Sequence, residues 1–157
     1  MRIALGADHA GVALKEDIKA LLDERGISYT DFGTNSTDPV DYPDYAVTVA
    51  RQVASGAADR GILFCGSGLG MAMAANKIAG IRAAPVVEEE SARLSREHND
   101  ANVLALGARI TPPEAARRIV NIFLDMPFAG GRHQRRVDKI TALDHDRGGA
   151  ETSRARR

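Results

Sequence analysis

The stretch GILFCGSGLGMAMAANK, residues 61–77, decides how the whole chain is read. Ile62, Leu63 and Phe64 form a short apolar run of the kind that makes a buried strand, and Gly66, Gly68 and Gly70 crowd three glycines into five residues. Met71 then opens a helical pattern predicted to end near Gly80. Strand, glycine loop and helix in that order make an anion site, because unobstructed backbone N–H groups converge on one point and the helix start adds its positive end. Cys65, the one cysteine of the chain, stands where the strand ends and the donors begin. Donors around a sulfur favour its thiolate, which makes Cys65 a candidate base or nucleophile. The same pattern also describes a small buried hydrophobe ahead of a nucleotide-binding loop, and the loop alone leaves both open.

Working outward, strands and helices alternate. Arg2 to Gly6 predicts a first strand, and Val12 to Glu24 predicts a helix with Leu14, Ile18, Leu21 and Leu22 on one face. Between them Asp8 and His9 set a carboxylate beside an imidazole. Ile27 to Gly33 predicts a second strand, followed by a polar loop to Pro43 and a helix from about Asp44 to Ser55. Ile81 to Val87 predicts a fourth strand. Glu88, Glu89 and Glu90 then start a helix whose dipole favours acids in its first turn, which accounts for the acidic run better than a metal site does. A fifth strand follows from Asn102 to Leu106, closing on Arg109. Thr111 is predicted to cap the next helix, with Pro112 in its first position and an end near Leu124. A basic helix from Arg132 to about Asp146 ends the domain, and residues 147–157, nearly without apolar residues, are expected to be a disordered tail.

Five strands alternating with helices predict an α/β fold, a three-layer sandwich around a five-stranded parallel sheet (Rossmann-like), with an added C-terminal helix. Ligands of such sheets sit outside the carboxyl ends of the strands. Asp8, His9, the segment from Cys65 to Gly70, and Arg109 all fall at that rim, whereas His98 and Asn99 lie on the approach to the fifth strand.

Arg132 and Arg136 are four residues apart, so they share a helix face and repel each other near the helix start. A bound phosphate would remove both penalties; a solvated face paired with Asp138 or with another subunit's acids would also serve.

The 157 residues suit a single domain, and 21 basic against 21 acidic side chains leave no net field for nucleic acid or an anionic membrane. One cysteine excludes an internal disulfide and a cysteine-cluster metal site. The strand-like start leaves no room for a signal peptide and no apolar run is long enough to span a bilayer, so a cytoplasmic protein is expected.

Eight short segments resemble the type B ribose-5-phosphate isomerases, which belong with the subunits of galactose-6-phosphate isomerase. They are residues 6–11 (GADHAG), 31–34 (DFGT) with 41–43 (DYP), 65–70 (CGSGLG) with 75–77 (ANK), 95–100 (SREHND), 106–109 (LGAR) and 131–136 (GRHQRR), which run in order through about residue 146.

The resemblance implies an aldose-ketose isomerase without metal or organic cofactor, acting on a sugar phosphate. In it Cys65 moves the proton between C1 and C2, His98 opens the furanose ring, Ser67 lies close by, and Asp8 holds or relays protons at the hydroxyls. The loop of Gly66, Ser67, Gly68, Leu69 and Gly70 would stabilise the enediolate rather than the phosphate. His9, Arg109, Arg132 and Arg136 would take the phosphate, and Asn99 and Tyr42 the sugar. Members are homodimers or dimers of dimers whose sites combine two subunits. Two departures stand out: Ser67 occupies a position where many members carry threonine, and Met71 one where a cysteine-less branch carries its catalytic glutamate. The resemblance favours ribose 5-phosphate and ribulose 5-phosphate. Galactose 6-phosphate, allose 6-phosphate, a tetrose phosphate and a non-catalytic sugar-phosphate or nucleotide-binding subunit are the alternatives.

Overall fold

A computed structural model describes the backbone of residues 1–154 and the side chains through residue 146. Five strands, β1 (Arg2–Ala7), β2 (Ser28–Asp31), β3 (Arg60–Cys65), β4 (Ala83–Pro85) and β5 (Val103–Gly107), form one sheet in the order β2-β1-β3-β5-β4. Every pairing is parallel. The helices are α1 (Val12–Glu24), α2 (Tyr42–Ala54), α3 (Leu69–Ala75), α4 (Glu89–Glu97), α5 (Pro113–Asp125) and α6 (Arg132–Arg154). The predicted parallel α/β sandwich is therefore the observed one. Part of the tail expectation for 147–157 lies outside the described residues: α6 carries the backbone through Arg154, and residues 155–157 are beyond it.

Alternation along the strands sorts the core into two layers. Ile3, Leu5, Ile62, Phe64, Leu104 and Leu106 face α1 and α5, where Ile18, Leu22, Ile119 and Phe123 meet them. Ala4, Leu63, Cys65, Val103 and Ala105 face α2 and α3, meeting Val49, Ala50, Met71 and Ala75. Each large apolar side chain so buried contributes roughly 1.5–3 kcal/mol of transfer free energy. The second face carries smaller strand residues, which draws α2 and α3 close to the sheet and sets the thiol of Cys65 within that layer.

Several boundaries differ from expectation. β4 keeps only Ala83–Pro85 of the predicted seven residues, because Pro85 has no N–H and the strand lies at the sheet edge. α3 stops at Ala75 rather than near Gly80: the Asn76 side chain bonds both backbone groups of Ala83, giving N–H at 2.9 Å and accepting at 2.8 Å, which turns the chain toward β4. α5 begins one residue late, with Pro112 in the flanking position and Pro113 first in the helix, so Thr111 is not its cap. Glu88 does cap α4, accepting the N–H groups of Glu90 and Ser91.

The chain steps from β1 outward to β2 and then returns to place β3 on the other side of β1. This reversal opens a crevice above the carboxyl ends of β1 and β3, where Asp8 and Cys65 stand.

Candidate active site

An open cleft of about 410 Å³ fills that crevice, lined by Asp8, Tyr42, Cys65, Gly66, Ser67, Gly70, Arg109 and Ile110. Cys65 ends β3 and is 4% exposed. The Gly68 N–H donates to its sulfur at 3.1 Å, so the glycine loop folds back on the thiol that precedes it. Gly68 reaches that position with φ of +80°, a conformation that a side chain would strain. The Leu69 N–H donates to Ser67 Oγ at 3.3 Å. Thus Gly68 and Leu69, both expected to face substrate, have their N–H groups committed to neighbouring side chains and do not line the cleft, whereas Gly66, Ser67 and Gly70 do.

Asp8 is 7% exposed, and its Oδ1 accepts the Ala10 and Gly11 N–H groups at 2.9 and 3.1 Å. One carboxylate oxygen therefore fixes the turn into α1 while the residue still borders the cleft. Tyr42, the first residue of α2, lies directly on Gly70: a Cβ there would come within 2.5 Å of the ring. Arg109 rests over Gly66, with Nη1 at 3.1 Å from where a Cβ would be, and forms no ion pair among the described residues. His9 stands beside the rim, its Nδ1 accepting the Val40 N–H at 3.2 Å.

The segment that joins His9 to Tyr42 is tied down by Lys15. Its fully buried ammonium donates to Asp31 Oδ1 at 2.7 Å, the Thr34 carbonyl at 2.6 Å and Asn35 Oδ1 at 2.8 Å. Burial pushes the Asp31 carboxyl up, but the bonds from Lys15, the Gly33 N–H and Lys19 outweigh it and hold the group below the usual carboxylate range.

His98, Asn99, Arg132 and Arg136 gather elsewhere. Cys65 pairs with Gly107 at the carboxyl end of β5, whereas His98 caps α4 and precedes Val103, which pairs with Gly61 at the amino end. The length of β5 alone separates the two levels by about 13 Å. At the amino edge the His98 ring stacks on His133, with centroids 4.1 Å apart and planes 11° from parallel. Burial, then the charges of His98, Arg132 and Arg136, push the His133 imidazole down from its usual range. Asp138, a possible partner for the arginines, instead accepts from Gln134 at 2.7 Å. Asn99 borders a second cavity, about 340 Å³, between β4 and α6.

One chain thus holds two separate polar clusters. The thiol, the carboxylate and the serine meet at the carboxyl rim, and the imidazoles and α6 arginines meet at the opposite edge. Sequence reasoning missed His133, although it lies between Arg132 and Arg136, and missed Lys15, which reads as part of the wet face of α1.

Fold and cleft define an open-sheet α/β protein with its chemical groups at a topological switch point. A model of the ribose/galactose isomerase family matches residues 3–140, and the chain belongs to that family. It is 52% identical to ribose-5-phosphate isomerase B of Escherichia coli over 146 residues, covering 93% of this chain and 98% of that one. Ribose-5-phosphate isomerase B of Clostridium thermocellum superposes with a TM-score of 0.92 at 49% identity, covering 93% of this chain and 99% of the other. The Mycoplasma genitalium ribose-5-phosphate isomerase B, solved with bound ribulose 5-phosphate, gives 0.89 at 43% identity, covering 92% and 96%.

Proposed function

We propose that this chain is an aldose-ketose isomerase that interconverts ribose 5-phosphate and ribulose 5-phosphate, with Cys65 as the base. The observation that carries the assignment is the Cys65 sulfur, approached by the Gly68 N–H at 3.1 Å and bordering a cleft shared with Asp8 and Ser67. Isomerisation needs a base at carbon and hydrogen-bond donors at the oxygen where charge develops. The Cys65 thiolate takes the proton from C2 of the open aldose. The C–H electron pair becomes the C1–C2 double bond and the carbonyl electrons move to O1, giving an enediolate. Return of the proton to C1 and transfer of the O2 proton to O1 complete the ketose. The N–H groups of Gly66, Ser67 and Gly70 are assigned to the enediolate oxygens, with the Ser67 hydroxyl beside them and Asp8 at the sugar hydroxyls.

Ribose 5-phosphate enters as a furanose, so its ring must first open by proton transfer at the ring oxygen, and the His98 imidazole is assigned to that step. His98 and Asn99 stand at the other edge of the sheet from Cys65. A second copy of the chain, as a homodimer or a dimer of dimers, would supply them together with Arg132 and Arg136. Those arginines join His9 and Arg109 on the phosphate, and Tyr42 and Asn99 bind the sugar. A base that must remain a free thiol suits a reducing compartment, which favours the cytoplasm.

Ketose formation from ribose 5-phosphate by the purified chain tests this. Turnover that falls by about 10³-fold or more in Cys65→Ala, with inorganic phosphate still competing for the site, is the expected result. No turnover by the unaltered chain, or a Cys65→Ala variant that keeps its rate, would overturn it.

A further inference from the structure

Of the described residues other than glycine, Asp100 alone has a positive φ, at +46°. It sits two residues after His98 and directly after Asn99, in the turn from α4 into β5. A helix that ends in a left-handed residue ordinarily takes glycine or asparagine there. Here an aspartate adopts that conformation and is gripped from two sides. Arg82, from the entry to β4, donates Nε to the Asn99 and Asp100 carbonyls at 3.0 and 3.1 Å. Its Nη2 reaches the Asp100 carbonyl at 2.9 Å and Oδ2 at 3.3 Å. Arg96, on α4 and only 5% exposed, donates Nη1 to Asp100 Oδ1 at 2.8 Å and to the Ala101 carbonyl at 2.6 Å. The Arg96 guanidinium is set in turn by the Phe123 ring, 5.9 Å from its centroid.

We propose that Asp100 is a positioning residue for His98 and Asn99: its carboxylate, bridging Arg82 and Arg96, locks the left-handed turn that holds the His98 ring against His133 and leaves Asn99 at the surface. Unusual backbone conformations persist where surrounding contacts over-determine them, and they gather at sites that need fixed geometry. Both arginines hold carbonyls of the same turn, so the carboxylate completes a frame around residues 99–101 rather than forming an isolated surface pair. The inference rests on the reading above that gives His98 and Asn99 to the substrate.

The test compares Asp100→Ala with Asp100→Asn in the full chain, following kcat and KM for ribose 5-phosphate and the NMR titration of the His98 ring carbon-bound protons. Alanine loses the bridge and the tolerance for positive φ, while asparagine keeps that tolerance and an acceptor. A drop of about tenfold or more in kcat/KM for alanine, with most of the activity restored by asparagine, is expected, because small misplacements of a reacting group are costly. The His98 signals should shift in the alanine variant and stay near their original positions in the asparagine variant. Unmoved His98 signals in Asp100→Ala would overturn the proposal, whatever the rate. If Asp100→Ala does not fold, Asp100→Gly keeps the backbone conformation, removes the carboxylate and reads the same signals. A wild-type chain without turnover would defeat the functional reading alone, since the His98 signals still decide the role of Asp100.

Discussion

At the carboxyl edge of the sheet the carboxylate and the thiol are already committed to backbone N–H groups; at the amino edge two neighbouring arginines are left without a charged partner among the described residues. Asp8 holds two backbone N–H groups, Cys65 holds a third, and Lys15 fixes the wall that runs to Tyr42. The amino edge brings His98 and His133 together beside Arg132 and Arg136, and neither of these arginines has an ion pair among the described residues. Donors fixed before substrate arrives stabilise developing charge without reorganising. Cations left beside one another wait for an anion, and binding that anion removes their repulsion. On the function proposed above, the first edge carries the bond changes and the second holds the phosphate, so that one complete site would need two chains.

The largest expected effect comes from separating the two edges genetically. Cys65→Ala and His98→Ala chains should each be nearly inactive as homodimers. Mixed, unfolded and refolded together, they should recover about a quarter of wild-type activity, because half the dimers are hybrids with one of two sites intact when the site spans a two-fold interface. No recovery, despite hybrids detected by mass, would mean that each chain completes its own site.

How far each edge was legible in the sequence follows the same division. The carboxyl edge is written in contiguous residues: strand, thiol, glycines and helix occupy 62–75, and the alternation of strands with helices places Asp8 and Arg109 at the same rim. The amino edge depends on contacts across the fold. His98 and His133 are brought together by α4 and α6, which no local period reports, and Arg82 meets Asp100 only once β4 pairs with β5. Lys15 escaped for a related reason: its side chain is polar, and nothing nearby shows that the Thr34 carbonyl and the Asp31 and Asn35 side chains will surround it in the core.

A smaller effect sharpens the assignment of phosphate to the amino edge. Arg136→Ala should raise KM for ribose 5-phosphate by about 10- to 100-fold, the loss of a charge-assisted hydrogen bond worth about 1.5–3 kcal/mol, and change kcat little. Inorganic phosphate should weaken as a competitor by a similar factor. An unchanged KM would move the phosphate away from α6.

The smallest effect concerns stability, and its sign tests the cationic character of the amino edge. Burial first, and then His98, Arg132 and Arg136, hold the His133 imidazole below its ordinary value of 6.5 in the folded chain. The unfolded chain therefore takes up this proton at a higher pH than the folded one. His133 costs nothing above about pH 6.5, and folding loses stability as the pH falls from there toward the folded value. Denaturant midpoints should decline more steeply over that window in the wild type than in His133→Gln. Inorganic phosphate should reduce the difference, because an anion between Arg132 and Arg136 offsets the charges that oppose protonation. Equal slopes without phosphate would show that the stacked imidazoles do not feel those arginines, and the contrast between the two edges would then rest on geometry alone.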